Sequence, residues 1–284
     1  MARSYETDTM AEMPADPQMN SHANARLDDE PARKAQLGQI QERARFDYSG
    51  TELDAMAGAG NYYRWIIGRF APFVGGEILE VGAGVGTFAA HLLDALPRDE
   101  SGGPRLTLIE PASNLFPALE SRFRDNPHVA VLQGDIESCA DNLHPDSTIL
   151  VNVLEHVKDD EACLALLHRI LQPGGHLLIF VPALPWLYGS MDAAFEHYRR
   201  YTRAELERKL RVAGFELRDM RFVNLPGVAA WWLSGKILRR KTISPGAVRF
   251  YDRWVFRPWS RIENIVAPPW GQNLLAVARK AGHR

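Results

Sequence analysis

Four acidic or polar groups follow short apolar runs of this chain, and together they suggest one ligand site. Glu80 precedes Gly82-Ala83-Gly84-Val85-Gly86. Glycine there lets the backbone turn sharply and approach a ligand closely, and the helix that follows offers free N–H groups at its start. A dinucleotide turn would read G-x-G-x-x-G, but the third position in that scheme is Thr87. An acid before the turn is awkward beside a pyrophosphate and suits a ligand carrying an ammonium and a sulfonium. Glu110, followed by Pro111, can accept two hydrogen bonds from ribose hydroxyls, as acids in this topological place do. Gln133-Gly134-Asp135-Ile136 offers an acceptor for an adenine amino group, with Ile136 against the ring. The fourth group is Asn152-Val153-Leu154-Glu155-His156.

These groups need a scaffold that brings them together. Each follows one of the runs Ile78–Val81, Leu106–Ile109, Val129–Leu132 and Thr148–Val151, and a fifth run is Leu177–Val181. Short apolar runs without polar alternation indicate a parallel sheet covered on both faces, in an α/β fold. Ligands bind such sheets at the strand ends. Helical patterns lie between the runs; one, from Asp160 to Leu171, stops at Pro173-Gly174-Gly175. Ahead of the first run, within lead-in helices over 46–74, Asn61-Tyr62-Tyr63-Arg64-Trp65-Ile66-Ile67 continues to Phe70 and Phe73 at helical spacing. After Pro182, Thr202-Arg203-Ala204-Glu205 predicts a capping box opening a helix over 204–212, closed by Gly214. Phe215–Phe222 and Gly271–Ala278 read as two further strands, with an aromatic and basic helical cap between them over about 226–265.

Composition bounds the function. Apolar residues make up 46% and charged residues 24%, typical of a soluble globular protein. The net charge of −2 gives no global basic field to recruit nucleic acid. Cys139 and Cys163 form no CxxC and read as reduced thiols in a cytoplasmic protein. There is no long apolar run and no basic-then-apolar leader. Residues 1–40 nearly lack large aliphatic and aromatic side chains, which predicts a mobile tail ahead of one domain over 41–284.

With these elements in place, the pieces ILEVGAGVGTF, LTLIEP, VLQGDIE, ILVNVLEHV and LQPGGHLLIFVP resemble, in order and spacing, the class I S-adenosylmethionine-dependent methyltransferases. The resemblance covers about residues 60–182. HYRRYTRAELERKLRVAGFEL extends it to about 217 and is similar to a common bacterial small-molecule branch. It implies a Rossmann-like seven-stranded methyltransferase sheet, mostly parallel with the last strand antiparallel. It also implies S-adenosyl-L-methionine as cofactor. Glu80, Gly82, Ala83 and Gly84 would line the methionine part, Glu110 with Pro111 the ribose, and Asp135 and Ile136 the adenine. Asn152 and Val153 would lie beside the sulfonium. A non-catalytic binder of the same cofactor is the rival from another class, and the intact Glu80, Glu110 and Asp135 set argues against it.

The acceptor is less legible. A hydroxyl acceptor needs a general base, and His156 and His197 are placed to serve; each can equally be a hydrogen-bonded structural histidine, with Glu155 capping the helix it opens. Arg199 and Arg200 can grip an anionic substrate with a guanidinium fork or pair with nearby acids. Some relatives bind a divalent ion through E-x-x-E-H and a later histidine; here Asn152 replaces the first acid, which weakens a magnesium site, and no metal is assigned. Tyr62, Tyr63, Trp65 and Trp231 are expected to build an apolar acceptor pocket. The tryptophan pair and basic cluster over 231–241 can alternatively lie on a membrane surface. Aromatics interleaved with arginines also suit nucleic acid, which the neutral net charge disfavours. The sequence leaves the oligomeric state open. The expected function is methyl transfer to a small molecule with an apolar body, with oxygen the preferred acceptor.

Overall fold

A seven-stranded sheet in the order β3-β2-β1-β4-β5-β7-β6 organises the chain. The computed structural model describes residues 47–50, 52–96 and 104–282; the expected tail over 1–40 lies outside them. Its strands are β1 (Glu77–Val81), β2 (Arg105–Glu110), β3 (Val129–Gln133), β4 (Ser147–Val151), β5 (His176–Pro182), β6 (Phe215–Val223) and β7 (Asn273–Lys280). β1 to β5 pair in parallel, whereas β7 runs antiparallel between β5 and β6. This matches the expected fold, and every strand lies within a few residues of its predicted place.

The reason is burial. Leu79, Leu108, Ile149, Phe180 and Val277 are essentially inaccessible. Each such side chain contributes on the order of 1.5–3 kcal/mol through removal from water. β1 lies inside the sheet between β2 and β4, with Glu80 opposite Leu108 of β2 and Ile149 of β4. The chain runs outward from β1 to β3 and then returns to β4. Strand order therefore reverses beside β1, which opens a crevice at the strand ends.

Helices cover the sheet. The lead-in forms α1 (Glu52–Met56) and α2 (Gly60–Phe70), the latter ending in a 3₁₀ turn that contains Pro72. α3 (Thr87–Ala95), α4 (Phe116–Phe123), the single turn α5 (Ile136–Cys139) and α6 (Asp160–Ile170) connect successive strands. After β5 come α7 (Ser190–Ala194) and α8 (Arg203–Val212). Thr202 Oγ1 accepts the Glu205 N–H at 3.1 Å, one half of the expected capping box, while the Glu205 carboxylate lies 3.6 Å from Lys209 Nζ; Gly214, at φ +95°, ends the segment.

The cap has two helical runs. α9 (Leu225–Trp231) continues into a π turn over Trp232–Ile237. α10 (Pro245–Tyr251) continues through a π turn over Asp252–Phe256 into α11 (Arg257–Ile265). Its two acids are buried and anchor it. Asp252 accepts the Asn61 and Tyr62 N–H groups at 3.1 and 2.9 Å, capping α2 from across the interface. Glu263 accepts the Asn224 and Leu225 N–H groups, both at 3.0 Å, and so caps α9. No helix among the described residues is long and apolar enough to cross a membrane.

Candidate active site

The crevice is a cavity of about 820 Å³, walled by the ends of β1, β2 and β4, by α1 and α2, and by the cap. Glu80, Gly82, Ala83, Gly84, Glu110, Pro111, Asp135, Asn152 and Val153 all line it. Gly82, Gly84 and Gly86 have φ of +70°, +57° and +75°, a region that only glycine enters without strain. A Cβ on Gly82 would stand 2.6 Å from Val153 Cγ2. The turn and the end of β4 are thus in contact, and glycine makes that contact possible. Asn152 has φ +53°, a conformation asparagine tolerates better than most residues.

The acids differ in state. Glu110 Oε2 accepts the Gly84 N–H at 2.7 Å and Oε1 accepts the Ala112 N–H at 2.8 Å. Each oxygen keeps a second lone pair for a ligand. Glu80 is 3% exposed, and its Oε2 has no hydrogen-bond partner among the described residues. Burial, with the Glu110 charge nearby, pushes its carboxyl up to about 8. Asp135 accepts the Ser138 N–H at 2.8 Å and caps α5. Ile136 departs from expectation: it is buried and does not line the cavity.

The histidines come together. The His156 and His197 rings meet edge to face with centroids 4.7 Å apart, and both line the cavity. His197 Nδ1 lies 3.1 Å from Asp192 Oδ1. Asp192 also accepts Arg200 Nε at 2.6 Å, Trp231 Nε1 at 3.0 Å and the Gly189 N–H at 2.8 Å. Burial alone would raise the Asp192 carboxyl, but these partners hold it below the usual range. Burial, reinforced by His197, pushes His156 down to about 3, so its ring is neutral at pH 7.

Several expectations are corrected. Arg199 does not line the cavity; it pairs with Asp160 at 2.9 Å and donates to the Lys158 carbonyl. Arg200 does line it, but is held by Asp192 and stacked over the Trp231 ring at 4.9 Å. Glu155 does not cap α6, because Asp159 accepts the Ala162 N–H there. It is instead fully buried, and neither carboxylate oxygen has a hydrogen-bond partner among the described residues. Burial pushes it up to about 7. Tyr62, Tyr63 and Trp231 line the cavity as expected, whereas Trp65 turns away to donate to Asn264 at 3.0 Å.

Sequence reasoning missed Tyr48, Glu52 and Asp192. Tyr48 and Glu52 hydrogen-bond to each other at the cavity wall, and the Tyr48 ring packs edge-on to His156 at 5.7 Å. None of the three sits in a motif. Asp192 lies five residues before His197, and only that spacing within GSMDAAFEH hinted at a pairing.

A family model described as "Methyltransferase domain" matches residues 57–219. The chain belongs to this family, that of the class I S-adenosylmethionine-dependent methyltransferases. No curated protein sequence matches it. Solved structures with the same fold include phosphoethanolamine N-methyltransferase 2 of Haemonchus contortus in complex with S-adenosyl-L-methionine. That protein is 20% identical, with a TM-score of 0.52 over 78% of this chain and 52% of the other. This chain therefore spans about half the length of that enzyme. The [4+2]-cyclase SpnF is 17% identical, with a TM-score of 0.54 over 88% and 93% of the two chains. A complex of the Haloferax volcanii Trm112 methyltransferase activator with a methyltransferase matches at 19% identity, with a TM-score of 0.51 over 83% and 99%.

Proposed function

We propose that this chain transfers a methyl group from S-adenosylmethionine to a hydroxyl of a small molecule with an apolar body, His197 being the general base. When bound, the cofactor supplies a methyl group on a sulfonium, already activated for transfer. The residues of the first two strand ends fit it. The unpartnered Glu80 oxygen suits an ammonium, Glu110 retains two lone pairs for ribose hydroxyls, and the glycine turn leaves room for close approach. The work left to the protein is alignment and exclusion of water, which can lower the barrier by about 7–11 kcal/mol in favourable cases.

The observation that carries the acceptor reading is the His197–Asp192 pair. An ionised Asp192 accepts from Nδ1–H, so Nε2 keeps its lone pair for a hydroxyl proton. Tyr62, Tyr63, Phe195 and Trp231, all on the cavity wall, suit an apolar acceptor body. His156 is too weakly basic to do the same, and serves as a wall that orients His197.

One further observation favours a second reading. Ligand atoms of Glu155, His156 and His197 lie within 4.8 Å of one another, and the Glu155 carboxylate has no hydrogen-bond partner among the described residues. One carboxylate and two imidazoles suit a transition metal better than magnesium. A bound cation would polarise the acceptor oxygen.

Calorimetric titration with S-adenosylhomocysteine, with NADH as control, tests the cofactor site. One-to-one binding of the thioether alone is expected, lost in Glu110→Ala with the melting temperature retained. Preference for NADH sinks the reading. Turnover in an acceptor screen, with and without EDTA, then separates the two acceptor readings. Activity that survives chelation assigns the proton to His197; activity that returns only with added manganese or zinc assigns it to the metal site.

A further inference from the structure

Beyond the cavity, the cap carries a second pattern on its outer face. The continuous helix from Pro245 to Ile265 is striped in steps of four. Val248, Asp252, Phe256 and Ser260 are buried against the domain. One residue on, Arg249, Arg253, Arg257 and Arg261 are all exposed. One further on, Trp254 and Ile262 are exposed at 62% and 52%, with Val266 beyond the helix end at 64%; Phe250, at 63%, begins this row and also lines the cavity. A four-residue step overshoots an α turn and undershoots the wider π turn over Asp252–Phe256. The π segment therefore helps keep the three stripes straight along the helix.

The preceding helical run of the cap, α9 with its π turn, carries the same two side-chain types. Trp232, Leu233, Ile237 and Leu238 are about half exposed, beside exposed Lys236, Arg239, Arg240 and Lys241. Residues 231–270 hold eight basic side chains and two acids, Asp252 and Glu263. Both acids are buried and occupied with helix N-termini, so the cap's outer charge is entirely positive. None of the eight pairs with a carboxylate among the described residues. In a chain whose net charge is −2, this is a local concentration rather than a global field.

We propose that this outer face of the cap docks on an anionic lipid bilayer surface, its tryptophans and aliphatics entering the headgroup boundary while the arginines and lysines meet lipid phosphates. Charge and side-chain chemistry together select that occupant. An exposed basic row beside an exposed Trp/Phe/Ile row is the composition of a helix lying in the interface plane. A nucleic acid would use the arginines and tryptophans but would leave Leu233, Ile237, Ile262 and Val266 facing water without a role. The same helices wall the cavity through Val248, Tyr251 and Val255, so docking brings the cavity to the membrane. This surface stands on its own observations and does not depend on the reading of the acceptor.

The test is co-sedimentation of the full chain with phosphatidylcholine vesicles, with and without phosphatidylserine. Binding to the anionic vesicles is expected. Arg253→Gln with Arg257→Gln should weaken it about 30-fold, from the typical contribution per basic residue at such a surface. Trp254→Ser with Ile262→Ser should weaken it by about tenfold or more. None of the four lines the cavity, so both variants should keep the parent's melting temperature and affinity for S-adenosylhomocysteine. Absence of vesicle binding, or binding that ignores both variants, overturns the proposal. So does capture of a single-stranded RNA oligonucleotide without vesicle binding, which would assign the face to nucleic acid.

Discussion

His197 Nδ1 lies 3.1 Å from Asp192 Oδ1, and that same oxygen takes Arg200 Nε at 2.6 Å. The arrangement holds the Asp192 carboxyl below its usual range, and the proposed reaction uses the other ring nitrogen, Nε2, as the base. His197→Gln keeps a polar side chain but no base. It should lower kcat about 10²–10⁴-fold while leaving the Kd for S-adenosylhomocysteine unchanged. Steady-state kinetics on the acceptor, with calorimetry in parallel, checks both; an unaltered kcat removes His197 from the chemistry.

The cofactor site should also be visible in its pH dependence. Glu80 is pushed up to about 8 when buried without a partner. In the unfolded chain it titrates in the ordinary carboxylate range near 4.5. Between these values the native state holds the extra proton, so Glu80 contributes stability below about 4.5 that is lost as pH rises toward about 8. Glu155, pushed up to about 7, acts in the same direction. His156, pushed down to about 3, acts oppositely, its cost falling away as pH rises through its unfolded value of 6.5. Above 6.5 the decline from Glu80 is therefore unopposed by His156. Thermal melts of the ligand-free protein should fall from pH 6.5 to 8, and less in Glu80→Gln. A ligand ammonium demands the charged carboxylate. Affinity for S-adenosylhomocysteine should then rise by up to about tenfold per pH unit below 8 and level off above it. A flat profile in the parent protein would show that Glu80 does not meet the ammonium.

The first two glycines of the turn separate strain from space. Gly82 has φ +70° and its Cβ position is filled by Val153. Gly84 has φ +57°, but a Cβ there meets only Leu53, at 3.5 Å. Gly84→Ala should therefore cost about 1–2 kcal/mol from backbone strain alone. Gly82→Ala adds an overlap in a packed wall and should cost about 1–3 kcal/mol more. Urea unfolding of the two variants gives the comparison; equal losses would mean that Val153 moves aside freely.

The inner strands of the sheet were legible in the sequence because they must bury both faces, and that requirement writes itself as an unbroken apolar run; the edge strand β6 is instead partly exposed and carries charged residues. The strand-end acids were legible because a topological switch point collects them from distant segments. Asp192 was not, since its role depends on α7 folding back to meet His197, Arg200 and Trp231, and no local pattern records such a fold. Tyr48 and Glu52 escaped for the same reason. Glu155 was misread because a carboxylate just ahead of a helix ordinarily caps it. Here Asp159, four residues later, does so, and Glu155 is left buried. The consecutive arginines were ambiguous because the run Glu196-His197-Tyr198-Arg199-Arg200-Tyr201 sends neighbours in different directions, Tyr201 forming a bridge with Ala183 and donating to Asp160.

That divergence makes Arg199 and Arg200 separable by experiment. Arg199 is about a quarter exposed, and its partner Asp160 keeps Lys209 at 2.7 Å and the Tyr201 hydroxyl at 2.8 Å when Arg199 is removed. Arg199→Ala should cost no more than about 1 kcal/mol and leave kcat/KM unchanged. Arg200 is 3% exposed, and its loss leaves the buried Asp192 carboxylate without its guanidinium partner, held by His197, Trp231 Nε1 and the Gly189 N–H. Removing one partner of such a pair typically costs about 3–5 kcal/mol. Arg200→Ala should therefore lower the unfolding midpoint sharply. Arg200→Lys restores charge but not the fork, and should recover part of the stability. Were Arg199→Ala instead the variant that loses kcat/KM, the anion-gripping role would belong to Arg199, with its side chain swinging away from Asp160 to meet the substrate.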